Sequence, residues 1–191
     1  MNSSTSPVPY GMEVASDALI EIMRELLSAY LILCIFGFMC SLLNIPLLFV
    51  LFGSRRLRAD SKLLICLAVG DLINCIALSL MGFDRYILYI YSIPTKLVPL
   101  VTSLSCASKP YMWFRIIGNL WPPSVQMVMG LERVTACVAP VIYIRYIRDR
   151  SIYLCAVTVL AVVPFFIVGI VLAVTNGTKG YVKFDCGEFL L

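Results

Sequence analysis

The sequence predicts an all-α integral membrane helical bundle with four transmembrane helices. Of its 191 residues, 61% are hydrophobic and 14% are charged, whereas soluble domains usually have about 45–50% apolar and about 25% charged residues. Four apolar stretches reach the roughly 20 residues that a spanning helix needs. The net charge of +4 forms no basic stripe, so nucleic acid is not an expected partner. The chain has no histidine, and so lacks the commonest metal ligand and general base.

The first predicted span covers residues 26–52 and follows an N-terminal segment, residues 1–25. This segment lacks the basic leading region and cleavage site of a secretory signal, and its residues 13–25 are amphipathic and expected to lead helically into the span. The short loop after the span contains four bases: Arg55, Arg56, Arg58 and Lys62. Because Lys and Arg concentrate in short cytoplasmic loops, residues 1–25 are expected on the extracellular side.

The second predicted span covers residues 63–83 and carries Asp71 near its middle. A charge at mid-bilayer costs roughly 2.5–3.5 kcal/mol, so such a residue faces other helices. Asn44 of the first span lies at a similar depth, and we expect a hydrogen bond between the two, with water or a cation as a further partner. The alternative is a protonated Asp71 with a structural role. Residues 84–91 are expected to extend the helix as an exposed turn or to form a loop.

The third predicted span, residues 110–138, carries a polar stripe. At 100° per residue, four polar side chains fall within about 40° of one another: Arg115, Asn119, Gln126 and Arg133. Lipid does not accept such a stripe, so it is expected to face a bundle interior or a water-filled cavity. The double proline at 122–123 kinks the helix between the two arginines. Arg115 is expected either to line a pocket or to extend to the head groups.

The fourth predicted span covers residues 152–175, and residues 176–191 begin the next extracellular loop. The loop before this span contains Arg145, Arg148 and Arg150, which favours a cytoplasmic position. Asn2 and Asn176 each begin an acceptor tripeptide for N-glycosylation, and four spans place both on the extracellular side. Such tripeptides also arise by chance. The combined pattern predicts a multi-pass plasma-membrane protein with an extracellular N-terminus.

The eight cysteines fall into two groups. Six lie within the predicted spans, where reduced apolar packing is expected: Cys34, Cys40, Cys66, Cys75, Cys137 and Cys155. Cys106 and Cys186 lie in loops on the predicted extracellular side, which is oxidising. We therefore expect a Cys106–Cys186 disulfide between the outer end of span three and the loop after span four; the alternative is two free thiols.

Several motifs follow one another in a specific order along these spans. Asn44 lies in span one, residues 67–71 (LAVGD) lie in span two, and residues 132–134 (ERV) close span three. Pro140 and Tyr143 follow the arginine of that last motif at seven and ten residues. With the two loop cysteines, this order resembles the rhodopsin-like G-protein-coupled receptors from span one to the loop after span four. It is most similar to the nematode serpentine chemoreceptors of the Srsx type.

The resemblance implies roles for individual residues. Glu132 would hold Arg133 in an ion pair at rest, and Arg133 would contact a heterotrimeric G protein on activation. Asp71, with Asn44, would form the polar hub between the spans, which is often a sodium site in this family. Arg115 and Asn119 would line the ligand pocket, and a cation there favours an anionic or carbonyl-bearing small molecule or peptide over an amine.

The chain also departs from the family. Val134 replaces the usual tyrosine, span four has no tryptophan, and the double proline at 122–123 occupies part of the usual sodium site, which argues against a cation at Asp71. The sequence ends at Leu191, so the resemblance implies a receptor, with a chemosensory role, cut after the fourth of seven helices.

The alternatives are a four-span protein of another class (junctional, channel-forming or scaffolding) and a non-signalling partner of a full receptor. An enzyme is not expected, because the sequence offers no metal cluster, no nucleophile paired with a base and no phosphate-binding glycine loop. No cofactor is expected either.

Overall fold

The computed structural model describes residues 11–102, 105–106, 108–147, 150–176 and 181–182. In this part of the chain the fold is mainly helical, as predicted. The helices are α1 (Asp17–Gly53), α2 (Arg55–Asp60), α3 (Lys62–Thr95), α4 (Pro110–Val138), α5 (Pro140–Ile142) and α6 (Ser151–Asn176), with a π-helical turn at Tyr143–Ile147 between the last two. The short strands are β1 (Met12–Val14), β2 (Leu97–Pro99), β3 (Val101–Thr102) and β4 (Tyr181–Val182).

Helix α1 begins well before the predicted span. The side chain of Ser16 accepts a hydrogen bond from the amide of Leu19 and so caps the first turn. Asp17 lies in that first turn, where a carboxylate is favoured by the helix dipole. The amphipathic residues 17–25 thus continue into the span without a break. At 1.5 Å per residue, the 37 residues of α1 are about 55 Å long, well above the roughly 30 Å of a bilayer core.

Helix α3 also extends past its predicted span, through Asp84 and Arg85 to Thr95. The helical extension that the sequence allowed for this segment is confirmed, and the alternative of a loop was wrong. The expected exposure holds for Ile87 and Tyr91, whereas Arg85 is only 4% exposed. Asp84 accepts hydrogen bonds from the Lys109 ammonium at 2.7 Å and the Tyr111 hydroxyl at 3.0 Å. The start of α4 therefore covers this segment of α3. Lys96 ends the helix in the left-handed region, at φ 54°.

Two antiparallel strand pairs lie at one end of the bundle, which we call the strand end. Strand β1 pairs with β2, and β3 pairs with β4. They bring the residues before α1 beside those that follow α3, and the residues after α3 beside those that follow α6. These strands could not be predicted from the sequence, because each has only two or three residues and depends on pairing between distant segments. The opposite end, which we call the basic end, carries Arg55, Arg58, Arg133, Arg145 and Arg150.

Helices α1 and α3 pack at backbone distance through two glycines. A Cβ atom added to Gly37 of α1 would lie 2.8 Å from the backbone nitrogen of Ser79, and one added to Gly82 of α3 would lie 2.8 Å from that of Cys34. The Ser79 hydroxyl donates to the Cys34 carbonyl at 3.2 Å. Small residues permit such close approach in membrane helices, so the two helices form one tightly packed block.

The buried core is concentrated toward the strand end. One cluster joins α1 and α3 to β2 and to Ala15, which lies between β1 and α1; its other members are Ile20, Met23, Tyr89 and Val98. A second cluster joins α3 to the start of α4 through Met81, Cys106, Tyr111 and Met112. The two clusters therefore hold the helices together toward the strand end.

Three described helices are long and apolar enough to cross a membrane: Asp17–Gly53, Lys62–Thr95 and Ile152–Leu172. Helix α4 occupies the range of the third predicted span and has sufficient length, but it carries Arg115, Glu132 and Arg133 and is not one of these three.

Cys66 of α3 and Cys155 of α6 are joined by a disulfide. The expectation that both are reduced packing residues was therefore wrong. The two helices meet near the basic end with the Cα atoms of these cysteines 6.6 Å apart, a separation that a disulfide bridges without backbone movement. Cys34, Cys40, Cys75 and Cys137 are free, as expected, but only Cys34 and Cys75 are half-buried; Cys40 and Cys137 are exposed.

Candidate functional site

The two ligand-pocket candidates lie on one side of α4 but in different environments. Arg115 is half-buried, and its Nη1 donates to the Sδ atom of Met81 on α3 at 2.8 Å. Asn119, one turn further along, is exposed. The described helices thus cover Arg115 on the α3 side and leave Asn119 uncovered.

The predicted polar hub is arranged differently from expectation. Asn44 donates to the carbonyl of Cys40 at 3.2 Å and lies 3.9 Å from the Sγ atom of Cys75 on α3. Asp71, one turn before Cys75, is half-buried, and no hydrogen bond joins it to Asn44 in the described structure. The two side chains do lie at neighbouring depths, as predicted. The rotation of α1 turns the Asn44 amide toward Cys75, which sequence spacing alone does not reveal.

The contact between α3 and α4 is built on small residues that the sequence analysis missed. A Cβ atom on Gly118 of α4 would lie 2.6 Å from the Cα atom of Asn74, and one on Gly70 of α3 would lie 3.1 Å from the ring of Pro122. The Oδ1 atom of Asn74 is buried at this contact and has no hydrogen-bond partner. A signal was present in the sequence, because Gly70 and Asn74, like Gly118 and Pro122, stand one helical turn apart.

At the basic end, Glu132, Arg133 and Tyr143 lie together. The Tyr143 hydroxyl donates to Oε1 of Glu132 at 3.2 Å. Glu132 is half-buried and Arg133 is exposed, and no ion pair within 4 Å joins these two described side chains. The carboxylate expected to hold Arg133 is thus engaged by the tyrosine ten residues after that arginine. These residues line a cavity of about 350 Å³ that also includes Lys62 at the start of α3.

One side of α4 is exposed along most of its length. The exposed stripe consists of Asn119, Pro123, Gln126, Gly130, Arg133 and Cys137, which follow one another at intervals of three or four residues and so share one helix face. From Asn119 to Cys137 it is about 27 Å long. Gly118 and Val125, which face α3, are buried. The predicted polar residues therefore do share one face of α4, but from Asn119 onward the described helices do not cover this face.

Helix α6 contacts a third face of α4. The Trp121 indole nitrogen donates to the Thr158 hydroxyl at 3.2 Å, and Thr158 in turn donates to the carbonyl of Cys155 at 2.7 Å. Nearer the strand end, the rings of Trp113 and Phe166 lie 4.6 Å apart. These contacts fix α6 on the side of α4 away from the exposed stripe.

Among the predicted extracellular features, the two that the structure describes, Cys106 and Asn176, lie toward the strand end. Cys106 is buried and disulfide-bonded, and its predicted partner, Cys186, lies outside the described residues. Asn176 is the last residue of α6, and Asn2 also lies outside the described residues. At the surface, the Lys96 ammonium donates to Asp17 at 2.7 Å. This hydrogen bond and the charge of Lys96 lower the pKa of Asp17.

Comparison of the chain with protein-family models, with curated proteins and with solved structures gives no match.

Proposed function

We propose that this chain forms the first four transmembrane helices of a G-protein-coupled receptor with a chemosensory role, inserted in the plasma membrane with the strand end outside. The proposal rests on the motifs of the sequence and on how the structure arranges them. Its partners are membrane lipid, a small-molecule or peptide ligand and a heterotrimeric G protein.

Insertion in a membrane is supported by the surface of the helices. Large apolar side chains are exposed along α1, α4 and α6, among them Phe49 (75%), Val138 (80%) and Leu160 (64%). Monomeric soluble proteins rarely expose contiguous apolar patches of this kind, whereas hydrocarbon accepts them without cost. Helix α4 then crosses beside α3 and α6, which shield part of its polar surface.

The observation that carries the receptor proposal is the exposed stripe of α4. Hydrocarbon does not accept the amides of Asn119 and Gln126 and the guanidinium of Arg133 on a lipid-facing surface. The stripe therefore requires companion helices or a water-filled cavity. A seven-helix receptor provides both, because its later helices close around the third helix.

The site residues then take distinct roles. Arg133 lies at the basic end, exposed and not ion-paired with Glu132, where it can contact a G protein. Arg115 and Asn119 lie on the same side of α4 toward the strand end, where a ligand would enter. In the described structure Arg115 uses one donor, toward Met81. A guanidinium has five donors, so donors remain for an anionic or carbonyl-bearing ligand. Asp71 stays at mid-depth between these two regions.

Sequencing the transcript beyond the codon for Leu191 tests the proposal. Three further apolar spans are expected, and a stop codon with none would contradict it.

In the corresponding full-length receptor, Arg133→Ala should abolish ligand-evoked G-protein activation while surface expression is retained. Arg150→Ala is the matched control on the same end. Arg115→Ala should weaken or remove the ligand response, and an unchanged response would exclude Arg115 from the pocket.

The exposed stripe also favours a second candidate, a four-span protein that assembles with another membrane protein through α4. Cys137 of the stripe and Cys40 of α1 are both free and exposed, which offers a matched pair of probes. In native membranes, a bifunctional thiol reagent would cross-link a partner to Cys137. The cross-linked product should be absent in the variant Cys137→Ala and present in the variant Cys40→Ala. The receptor proposal expects no such specific product once the later helices are present.

A further inference from the structure

The cavity at the basic end is formed where three parts of the chain meet. Its lining includes Ser61 and Lys62 at the start of α3, Glu132 and Arg133 near the end of α4, and Tyr143 in the π-helical turn. Its volume of about 350 Å³ is that of a small ligand site. The cavity is polar as well as concave, which separates it from the apolar grooves between the membrane-facing helices.

The charges around this cavity are unbalanced. In the described structure, neither Lys62 nor Arg133 has an ion-pair or hydrogen-bond partner from its side chain. Among the described residues that line the cavity, the one carboxylate is Glu132, which accepts a hydrogen bond from Tyr143. Two cations therefore face one anion, and the lining carries a net positive charge.

The backbone at the start of α3 adds to this positive potential. Ser61 occupies the N-cap position, but its side chain makes no capping hydrogen bond, so first-turn amides of α3 keep free donors. The N-terminus of this 34-residue helix carries a partial positive charge. Its first residues belong to the cavity lining, so the dipole favours an anion there.

We propose that this cavity binds a phosphate group. An ammonium, a guanidinium, the Ser61 hydroxyl and backbone amides together provide more donors than a carboxylate can accept, and they match the three or four oxygens and the double charge of a phosphate. The phosphate comes from a phospholipid headgroup or from a soluble phosphate ester. The site does not require that the chain couple to a G protein, so binding is measured directly rather than through signalling.

The experiment uses the full chain, purified and placed in phosphatidylcholine nanodiscs. Three probes are compared: discs that also contain phosphatidylinositol bisphosphate, soluble inositol trisphosphate, and inorganic phosphate alone. Bound probe is counted by native mass spectrometry as its concentration is raised. Binding only in the first arm identifies a lipid headgroup as the source, and binding of the soluble probes identifies a free phosphate; both outcomes support the site.

Variants assign the binding to the cavity. Lys62→Gln should weaken the apparent affinity about tenfold, through loss of one charge-assisted contact, while Lys62→Arg retains it. Glu132→Gln should tighten binding, because it removes the negative charge of the lining; a misfolded variant would not produce this change. Arg150→Gln is the matched control, since Arg150 is exposed at the same end but does not line the cavity.

Two results would overturn the proposal. One is that no phosphate probe binds in any of the three arms. The other is that Lys62→Gln weakens binding no more than Arg150→Gln, which would indicate general attraction of anions to the basic end. Failure of either kind leaves the receptor proposal untouched, because that proposal rests on the exposed stripe of α4 and on the order of the sequence motifs.

Discussion

At the scale of single residues, the contact between α4 and α6 depends on a buried side-chain hydrogen bond between the two helices. Thr158 is 1% exposed and accepts from Trp121 while it donates to its own helix. Replacing Thr158 by valine keeps the shape but removes the acceptor, which leaves the indole N–H without this partner.

We expect Thr158→Val to lower the free energy of unfolding by about 0.6 kcal/mol, the average for hydrogen bonds between membrane helices, and by at most about 1.7 kcal/mol. Reversible unfolding in detergent provides the measurement. A double-mutant cycle with Trp121→Phe isolates the bond, since the two changes should not be additive if each removes the same interaction. Additive losses would mean that the hydrogen bond contributes nothing of its own.

The ion pair between Asp17 and Lys96 gives the strand end a pH dependence. Lys96 holds the pKa of Asp17 below its ordinary value of 3.8. A lowered carboxyl pKa stabilises the folded state above the unfolded pKa, and this contribution is lost as the pH falls through the folded value. Because the pair is exposed, the effect is small and local.

We therefore expect acidification below about pH 4 to lower the protection factor of the Ala15 amide hydrogen, that is, its intrinsic exchange rate at each pH divided by the observed rate; this amide donates to the Lys96 carbonyl at 2.9 Å. Hydrogen exchange followed by mass spectrometry measures this. The variant Asp17→Asn should lose the acid-dependent component. An unchanged pH profile in that variant would assign the effect to another group.

At the scale of helices, glycines determine how closely α1, α3 and α4 approach. Gly37 and Gly118 each meet a neighbouring backbone at less than 3 Å from an added Cβ atom, whereas Gly130 on the exposed stripe has nothing within 4 Å. The three glycines thus differ in environment while sharing the same helical conformation.

Gly37→Ala and Gly118→Ala should each destabilise the chain by about 1–3 kcal/mol, because backbone atoms cannot move aside as a flexible side chain can. Gly130→Ala is the internal control and should be neutral or stabilising by up to about 1 kcal/mol, from helix propensity alone. Thermal unfolding in detergent compares the three. Equal losses at all three positions would show that the close contacts do not determine stability.

The helices themselves could largely be predicted from the sequence, because long apolar runs have few alternatives in lipid. The range of α4 follows from Pro110 at its first position and from the polar residues around it. The continuation of α3 through Asp84 was harder to predict, since a charged residue there suggests exposure. The partners Lys109 and Tyr111 explain why Asp84 is half-buried.

Contacts between helices were less predictable, because they depend on rotation about each helix axis. The Cys66–Cys155 disulfide and the turn of Asn44 toward Cys75 each require that rotation to be known within a few tens of degrees. The polar stripe of α4 could be read from its spacing, but the spacing does not tell which neighbouring helix covers it.

At the scale of the whole molecule, the proposed topology places both predicted glycosylation sites on one side of the membrane. We expect glycosidase treatment of the chain expressed in animal cells to reduce its apparent mass. Asn2→Gln and Asn176→Gln should each remove one increment, because both acceptor sites face the lumen during synthesis. A glycan at one site only would contradict an even number of spans between them or show that the other site is not used.

The length of α1 and α3 has a consequence for how the molecule can be observed. Because α1 begins about nine residues before its predicted span, the proposed insertion in a membrane would place the β1–β2 pair roughly 13 Å beyond the hydrocarbon. A nanobody raised against this strand pair would bind the protein outside the head-group region. A fluorophore attached there would report tilting of the α1–α3 block without disturbing any surface that touches lipid.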